Sequence, residues 1–190
     1  MRGLLGTTLA LGVVIALGAS NLTHYQKAKQ KIDLIEGDRA PRGARITLSE
    51  EELDAYVRGE IPTVAGQGAV KSSKVKLRAN GGRVDAQVDF IQLQKNTGRK
   101  PGWLLSRLLR GEHSVSASVR MQSAKGQATV WVDEVTLNGV ALGGPLLDFL
   151  MDAFITPKFP DVKIGEPFPL KHDVERVDIR PDAVHVQIRR

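Results

Sequence analysis

The chain contains no cysteine among its 190 residues, which excludes disulfides, thiol chemistry, thiolate metal sites and a lipid carried on an N-terminal Cys. Compartment must therefore be read from the N-terminus. Aromatic residues are scarce at 5%, so a core has to rest on Val, Leu, Ile and Ala. The four histidines, His24, His113, His172 and His185, are scattered. None pairs with a second His or a carboxylate at metal-ligand spacing, and His172-Asp173 reads as a surface turn. No Ser sits in a nucleophile-elbow pattern, which argues against acyl transfer. The 19 glycines form no phosphate-cradling loop: the densest cluster after a strand, Asn138-Gly139 to Gly143-Gly144, lacks both the Lys-Ser/Thr ending and the dinucleotide spacing. These absences point to a non-catalytic protein with no cofactor or metal.

What is present is an ordinary globular composition, 42% hydrophobic and 25% charged, against general disorder. The net charge of +6 favours anionic lipid headgroups or nucleic acid as partners. A basic stretch of Lys71, Lys74, Lys76, Arg78 and Arg83 has the charge to track a phosphate backbone. It lacks aromatics for base stacking, however, and the N-terminus reads as an export signal that separates the chain from nucleic acid.

That N-terminus opens with Met1-Arg2 and an uncharged run from Leu4 to Ala19, the pattern of a secretory signal or signal anchor. Cleavage after Gly18 would place Ala16 and Gly18 at the small-residue positions. The apolar run nevertheless reaches Leu22, close to the roughly 20 residues that span a bilayer, so residues 1–22 are a signal peptide or a retained membrane anchor. Lys27, Lys29 and Lys31 oppose Arg2 under the positive-inside rule. The exported orientation is favoured because a β-rich domain follows with no further apolar span, which places the protein in the cell envelope, periplasmic or extracytoplasmic. Residues 23–43 read as a solvated helical stalk and a Gly/Pro/charge linker, and residues 44–190 as one domain.

Within that domain, Ile46-Thr47-Leu48 reads as a strand, and Ser49 with Glu52 forms a capping box that opens a helix, expected to end near Gly59 to Pro62. Glu50, Glu51, Glu52 and Asp54 then complement the helix dipole. Val75 and Leu77 alternate with charged residues, Asn80-Gly81-Gly82 turns, and Val84, Ala86, Val88 and Phe90 alternate on the way back, predicting an antiparallel hairpin with one apolar face. A second hairpin follows the same pattern, with Val115, Ala117, Val119 and Met121 on one strand, a turn at Ala124-Lys125-Gly126, and a return strand from Gln127 to Leu137. Asn138-Gly139 makes another tight turn. Between the hairpins, Gly98 to Arg110 combines a loop with a short amphipathic helix. A second, strongly apolar helix starts at Pro145 and carries Leu147, Leu150, Met151 and Phe154. Lys158 to Pro169 should be extended, and strands containing Val174, Val177 and Ile179, then Val184, Val186 and Ile188, flank a turn at Pro181-Asp182.

The order of exported N-terminus, ITLSEEELDAYV, alternating hairpins, GPLLDFLMDAF and VERVDIRPDAVHVQI resembles the tubular lipid-binding (TULIP-like) superfamily, and within it the bacterial LmeA-like phospholipid-binding and related periplasmic proteins. The resemblance implies an α+β fold in which a curved antiparallel β-sheet wraps around an apolar helix, with a groove for acyl chains and no catalytic residues. On that reading Val75, Leu77, Val84, Val88, Phe90, Val115, Val119, Val130, Leu147, Leu150, Met151 and Phe154 line the groove, whose ligand is a phospholipid or another acyl compound. Trp103, Leu104, Arg107, Leu108 and Arg110 have the composition of a segment that docks at an anionic membrane surface. The same residue types also suit a dry core. The alternative function is therefore a structural or interaction module of the envelope with a closed core and a protein partner.

Overall fold

The structure, a computed structural model, describes residues 9–97, 111–144, 147 and 162–190, as backbone alone over 9–22 and at 97. Helix α1 (Leu9–Glu36) carries the chain from the apolar run past the end of that run. Its second half is packed, where a solvated stalk was expected. Ala28 is 0% exposed and shares an apolar cluster with Ile32 and Ile35.

Strand β1 (Arg45–Ser49) leads directly into helix α2 (Glu50–Ala65) through the expected capping box. The Glu52 N–H donates to Ser49 Oγ at 3.2 Å and the Ser49 N–H donates to Glu52 Oε2 at 3.1 Å, satisfying two donors that a helix start leaves orphaned. The helix runs beyond its expected end, with Pro62 inside it. Proline removes one intrahelical hydrogen bond, but Ile61 just before it and Ala65 just after it are held by the core. Gly59 also has a packing reason: a Cβ there would run into the Tyr25 ring of α1. Tyr25 stacks on Tyr56 of α2, centroids 6.1 Å apart, and donates its hydroxyl to Glu60 at 2.7 Å.

Strands β2 (Val70–Arg78) and β3 (Gly81–Asp89) form the first hairpin. Arg78 pairs with Gly81, so the turn is Ala79-Asn80, with Asn80 at φ 59°. Gly81 and Gly82 lie in the strand instead of in the turn. Gly81 is required there because a Cβ would strike the Val119 carbonyl of the neighbouring strand. Alternation through Phe90 predicts a longer strand, but Asp89 ends it by capping helix α3 (Phe90–Thr97), accepting from the Ile91 and Gln92 N–H groups at 2.9 and 3.0 Å. Among the described residues, Phe90 and Leu93 of α3 are the largest fully buried side chains.

The remaining strands are β4 (Glu112–Ala124), β5 (Gln127–Leu137), β6 (Val140–Ala141), β7 (Phe168–Pro169), β8 (Val174–Ile179) and β9 (Ala183–Ile188). The larger sheet has the order β2-β3-β4-β5-β6 with β7 alongside β5, the smaller has the order β1-β9-β8, and every pairing is antiparallel. The fold is therefore α+β with antiparallel sheets. The apolar helix expected after Pro145, apart from Leu147, and the segment 98–110 lie outside the described residues. Among the described residues no helix is long and apolar enough to cross a membrane.

Two apolar clusters result, and α2 joins them. Tyr56 packs with Leu48, Val174, Val186 and Ile188 on the small sheet, whereas Ile61 and Ala65 pack with Val88, Phe90, Leu93 and Val135 on the large one. The sheets also meet along β8. Its carbonyls at Glu175 and Ile179 accept from the N–H groups of Gly126 and Asn80 at 2.8 and 2.9 Å. Between them, Ser123 Oγ both accepts from the Val177 N–H and donates to the Val177 carbonyl, each at 2.7 Å.

Truncating Phe90 to Ala should cost about 3–5 kcal/mol and Ser49→Ala about 1 kcal/mol, both measurable as shifts of the urea unfolding midpoint at unchanged slope.

Candidate functional site

The inner face of the large sheet is built in rows by the strand register. Val75, Val84, Ala117 and Val135 lie across four strands in one row, and Leu77, Gly82, Val119 and Val132 in the next. Met121 and Val130 continue the face. Burial along these rows is uneven. Val75 and Leu77 on the edge strand are 4% and 9% exposed and Val135 of β5 is 8% exposed, whereas Val84, Ala117, Val119, Val130 and Val132 on the same face are only half-buried. One end of the face is closed by the cluster around Val88 and Phe90, which α2 and α3 complete.

The residues expected to line a groove therefore divide. Val75, Leu77, Val88 and Phe90 belong to a packed core, whereas Val84, Val115, Val119, Val130 and Leu147 are half-buried. Leu150, Met151 and Phe154, and the membrane-docking candidates Trp103, Leu104, Arg107, Leu108 and Arg110, lie outside the described residues.

The opposite face of the sheet largely neutralises itself. Lys71 faces Glu112 at 3.9 Å, Lys74 faces Asp54 at 3.4 Å and Lys76 faces Glu50 at 2.7 Å. Arg83 donates to Asp85 and Ser116, both at 2.8 Å. The hydrogen bond from Ser116 holds the Asp85 carboxyl below its ordinary value, assisted by Arg83. Arg120 binds Asp133 at 2.7 Å and lies over the Trp131 ring at 5.6 Å. The basic stretch that suggested a phosphate track is thus occupied by carboxylates at four of its five positions.

The α2 carboxylates do more than complement the helix dipole. Glu50 Oε2 accepts from the Leu77 N–H at 2.9 Å and Asp54 Oδ1 accepts from the Val75 N–H at 2.7 Å, the outward donors of edge strand β2. Four helical residues rise about 6 Å and two strand residues about 6.8 Å, so carboxylates at i and i+4 match N–H groups at j and j+2. Asp54 is 4% exposed and is also paired with Arg58. Hydrogen bonds from the Lys76 ammonium and then the Leu77 N–H hold the Glu50 carboxyl below its ordinary value.

Three surface depressions are lined mostly by polar or charged residues, in two of them largely through the apolar parts of their side chains. One of about 410 Å³ has His24, Glu50, Glu51, Asp54, Arg58, Lys74 and Lys76 on its walls. A second, of about 440 Å³, lies between α2 and the start of β2 and includes Ile61 and Pro62. The third, of about 360 Å³, lies over the outer face of the small sheet and collects Arg45, Lys125, Arg176, Asp178 and His185. The sequence analysis did not single out this last group, which is assembled by pairing between distant strands. Among the described residues no three His, Asp or Glu side chains converge as a metal site. No protein-family model matches the chain, and no curated protein or solved structure is significantly similar to it.

A carboxylate with a depressed folded-state pKa stabilises the fold above its unfolded pKa, and that stability is lost as the pH falls through the folded value. Glu50 should therefore contribute at neutral pH and lose its contribution below about pH 4.3. Glu50→Gln is expected to lower stability at pH 7 and to flatten the acid limb of a stability-versus-pH curve, followed by urea unfolding.

Proposed function

We propose that this is a non-catalytic binding protein of the cell envelope, exported or anchored through its N-terminal apolar run, that holds a lipid or other acyl ligand against the inner face of the large sheet. The observation that carries this reading is that Val84, Val119 and Val130 stay half-buried on a face whose edge and one end are closed. An acyl chain laid along Val84, Val115, Val119 and Val130 would gain about 0.8 kcal/mol per buried methylene. On this proposal the apolar segment containing Leu147, Leu150, Met151 and Phe154 forms the opposing wall around which the sheet curves, as in the tubular lipid-binding proteins that the sequence resembles. The segment of Trp103, Leu104, Arg107, Leu108 and Arg110 would meet the membrane surface.

One observation favours a second reading as an interaction module. Val140 is 68% exposed and Ile164 is 42% exposed, and both belong to segments that bond to β5: β6 pairs with it, and the Gly165 N–H donates to the Val130 carbonyl. Exposed apolar groups beside a strand suit a protein partner.

Native mass spectrometry of the full chain, purified from its export compartment and followed by organic extraction, separates the two. The lipid reading expects a stoichiometric acyl compound that Val119→Asp removes while far-UV circular dichroism stays unchanged. Val88→Asp, which places a charge in the packed core, should instead unfold the domain. A folded protein that remains empty after incubation with phospholipid would leave the interaction module standing.

A further inference from the structure

The geometry points to a binding site for a phosphate-type oxyanion on the outer face of the small sheet, distinct from the apolar face and not dependent on it. Arg45 of β1 and Arg176 of β8 both lie opposite Gln187 of the central strand β9. Two strand spacings place their Cα atoms about 10 Å apart on the same face, a separation that two arginine side chains can close from either side. Gln187 leaves the space above it clear, because its amide is turned onto the backbone carbonyls of Gly43, Ala44 and Ile188. The β4–β5 turn contributes Lys125 to the rim of this cleft of about 360 Å³.

Charge and donor counting both favour an anion. Asp178 is approached by three guanidinium groups, but only Arg180 hydrogen-bonds to it, at 3.2 Å. Arg45 and Arg176 stand 4.0 and 3.9 Å away, within Coulombic reach but too far for a hydrogen bond. Their donor forks make no hydrogen bond among the described residues, and Lys125 makes no ion pair among them. The other carboxylate of the cleft, Glu175, lies 3.5 Å from Arg189. A tetrahedral oxyanion between Arg45 and Arg176 would accept from both forks, the geometry in which guanidinium binds phosphate most strongly. Asp178 would then compete with the ligand and keep the empty cleft from overcharging.

Either free phosphate or the headgroup of an anionic lipid supplies this chemistry, and the test separates them. Full-length protein in neutral detergent is titrated calorimetrically with inorganic phosphate, and separately with short-chain phosphatidylglycerol against short-chain phosphatidylcholine. Binding is expected to weaken with added salt, to fall about tenfold in Arg45→Ala and in Arg176→Ala, and to tighten in Asp178→Asn. Arg45→Lys keeps the charge and the strand but loses the fork, so it should bind more weakly at unchanged thermal stability. Response to phosphate alone identifies a free oxyanion, and response to phosphatidylglycerol but not phosphatidylcholine identifies a headgroup. Absence of binding to both anions, or alanine variants that bind like the wild type, overturns the site. Arg45→Ala should leave any extractable acyl ligand in place, so failure here and failure of the lipid reading are read separately.

Discussion

Much of this architecture depends on the hydrogen bonds that α2 makes sideways to strand β2. Backbone donors on the edge of a sheet normally find a further strand or water. Here they find Glu50 and Asp54, fixed one turn apart on a helix whose start is set by the Ser49–Glu52 capping box. Because the same helix carries Tyr56 into one apolar cluster and Ile61 and Ala65 into the other, the contact holds both clusters in register. Lys31 extends the arrangement to α1, donating to Glu52 at 2.6 Å and to the Thr47 carbonyl at 2.7 Å. Helix, edge strand and N-terminal helix are thereby tied through one short run of acidic residues.

Closing the edge in this way also shapes how the large sheet is covered. The helix bonds to the edge of the large sheet at Val75 and Leu77 and carries Ile61 and Ala65 onto the cluster that holds Val88 and Val135. Val84, Val119 and Val130 on this face are apolar and only half-buried, which is what the proposed ligand-holding function draws on. The small sheet has the opposite character. Its inner face is filled by α1 and α2, and its outer face is a ladder of Arg, Gln, Thr, His and Asp side chains.

Local signals in the sequence were reliable where the physics is local. Period-two alternation located both hairpins, and the Ser49 and Glu52 pair located the start of α2. Alternation also misled at Phe90, because a residue that ends a strand and one that begins a buried helix are equally apolar; Asp89, the cap, carried the only distinguishing signal. The length of α2 past Pro62 was not legible, since it depends on core contacts made by Ile61 and Ala65. Nor was the division of strands between two sheets, because alternation reports which face a residue occupies and not which strand lies beside it. The groups around Arg45 and Arg176 were hidden for that reason. Glu50 and Asp54 were visible at their spacing of four, but their partners on β2 could be identified only once the strand was placed beside the helix.

The same acidic residues determine how the protein fails. A strand edge with free N–H groups is a template on which other chains can assemble, and β2 is nine residues long, with Val75 and Leu77 on one face. Glu50 and Asp54 occupy its N–H groups at Leu77 and Val75, beside the outward Lys74 and Lys76 and a bulge near its start. Protonation of Glu50 weakens its bonds to Lys76 and the Leu77 N–H and so loosens the fold and frees part of a pairing edge in one step. Acid stress would therefore free a pairing edge on β2 as it weakens the fold.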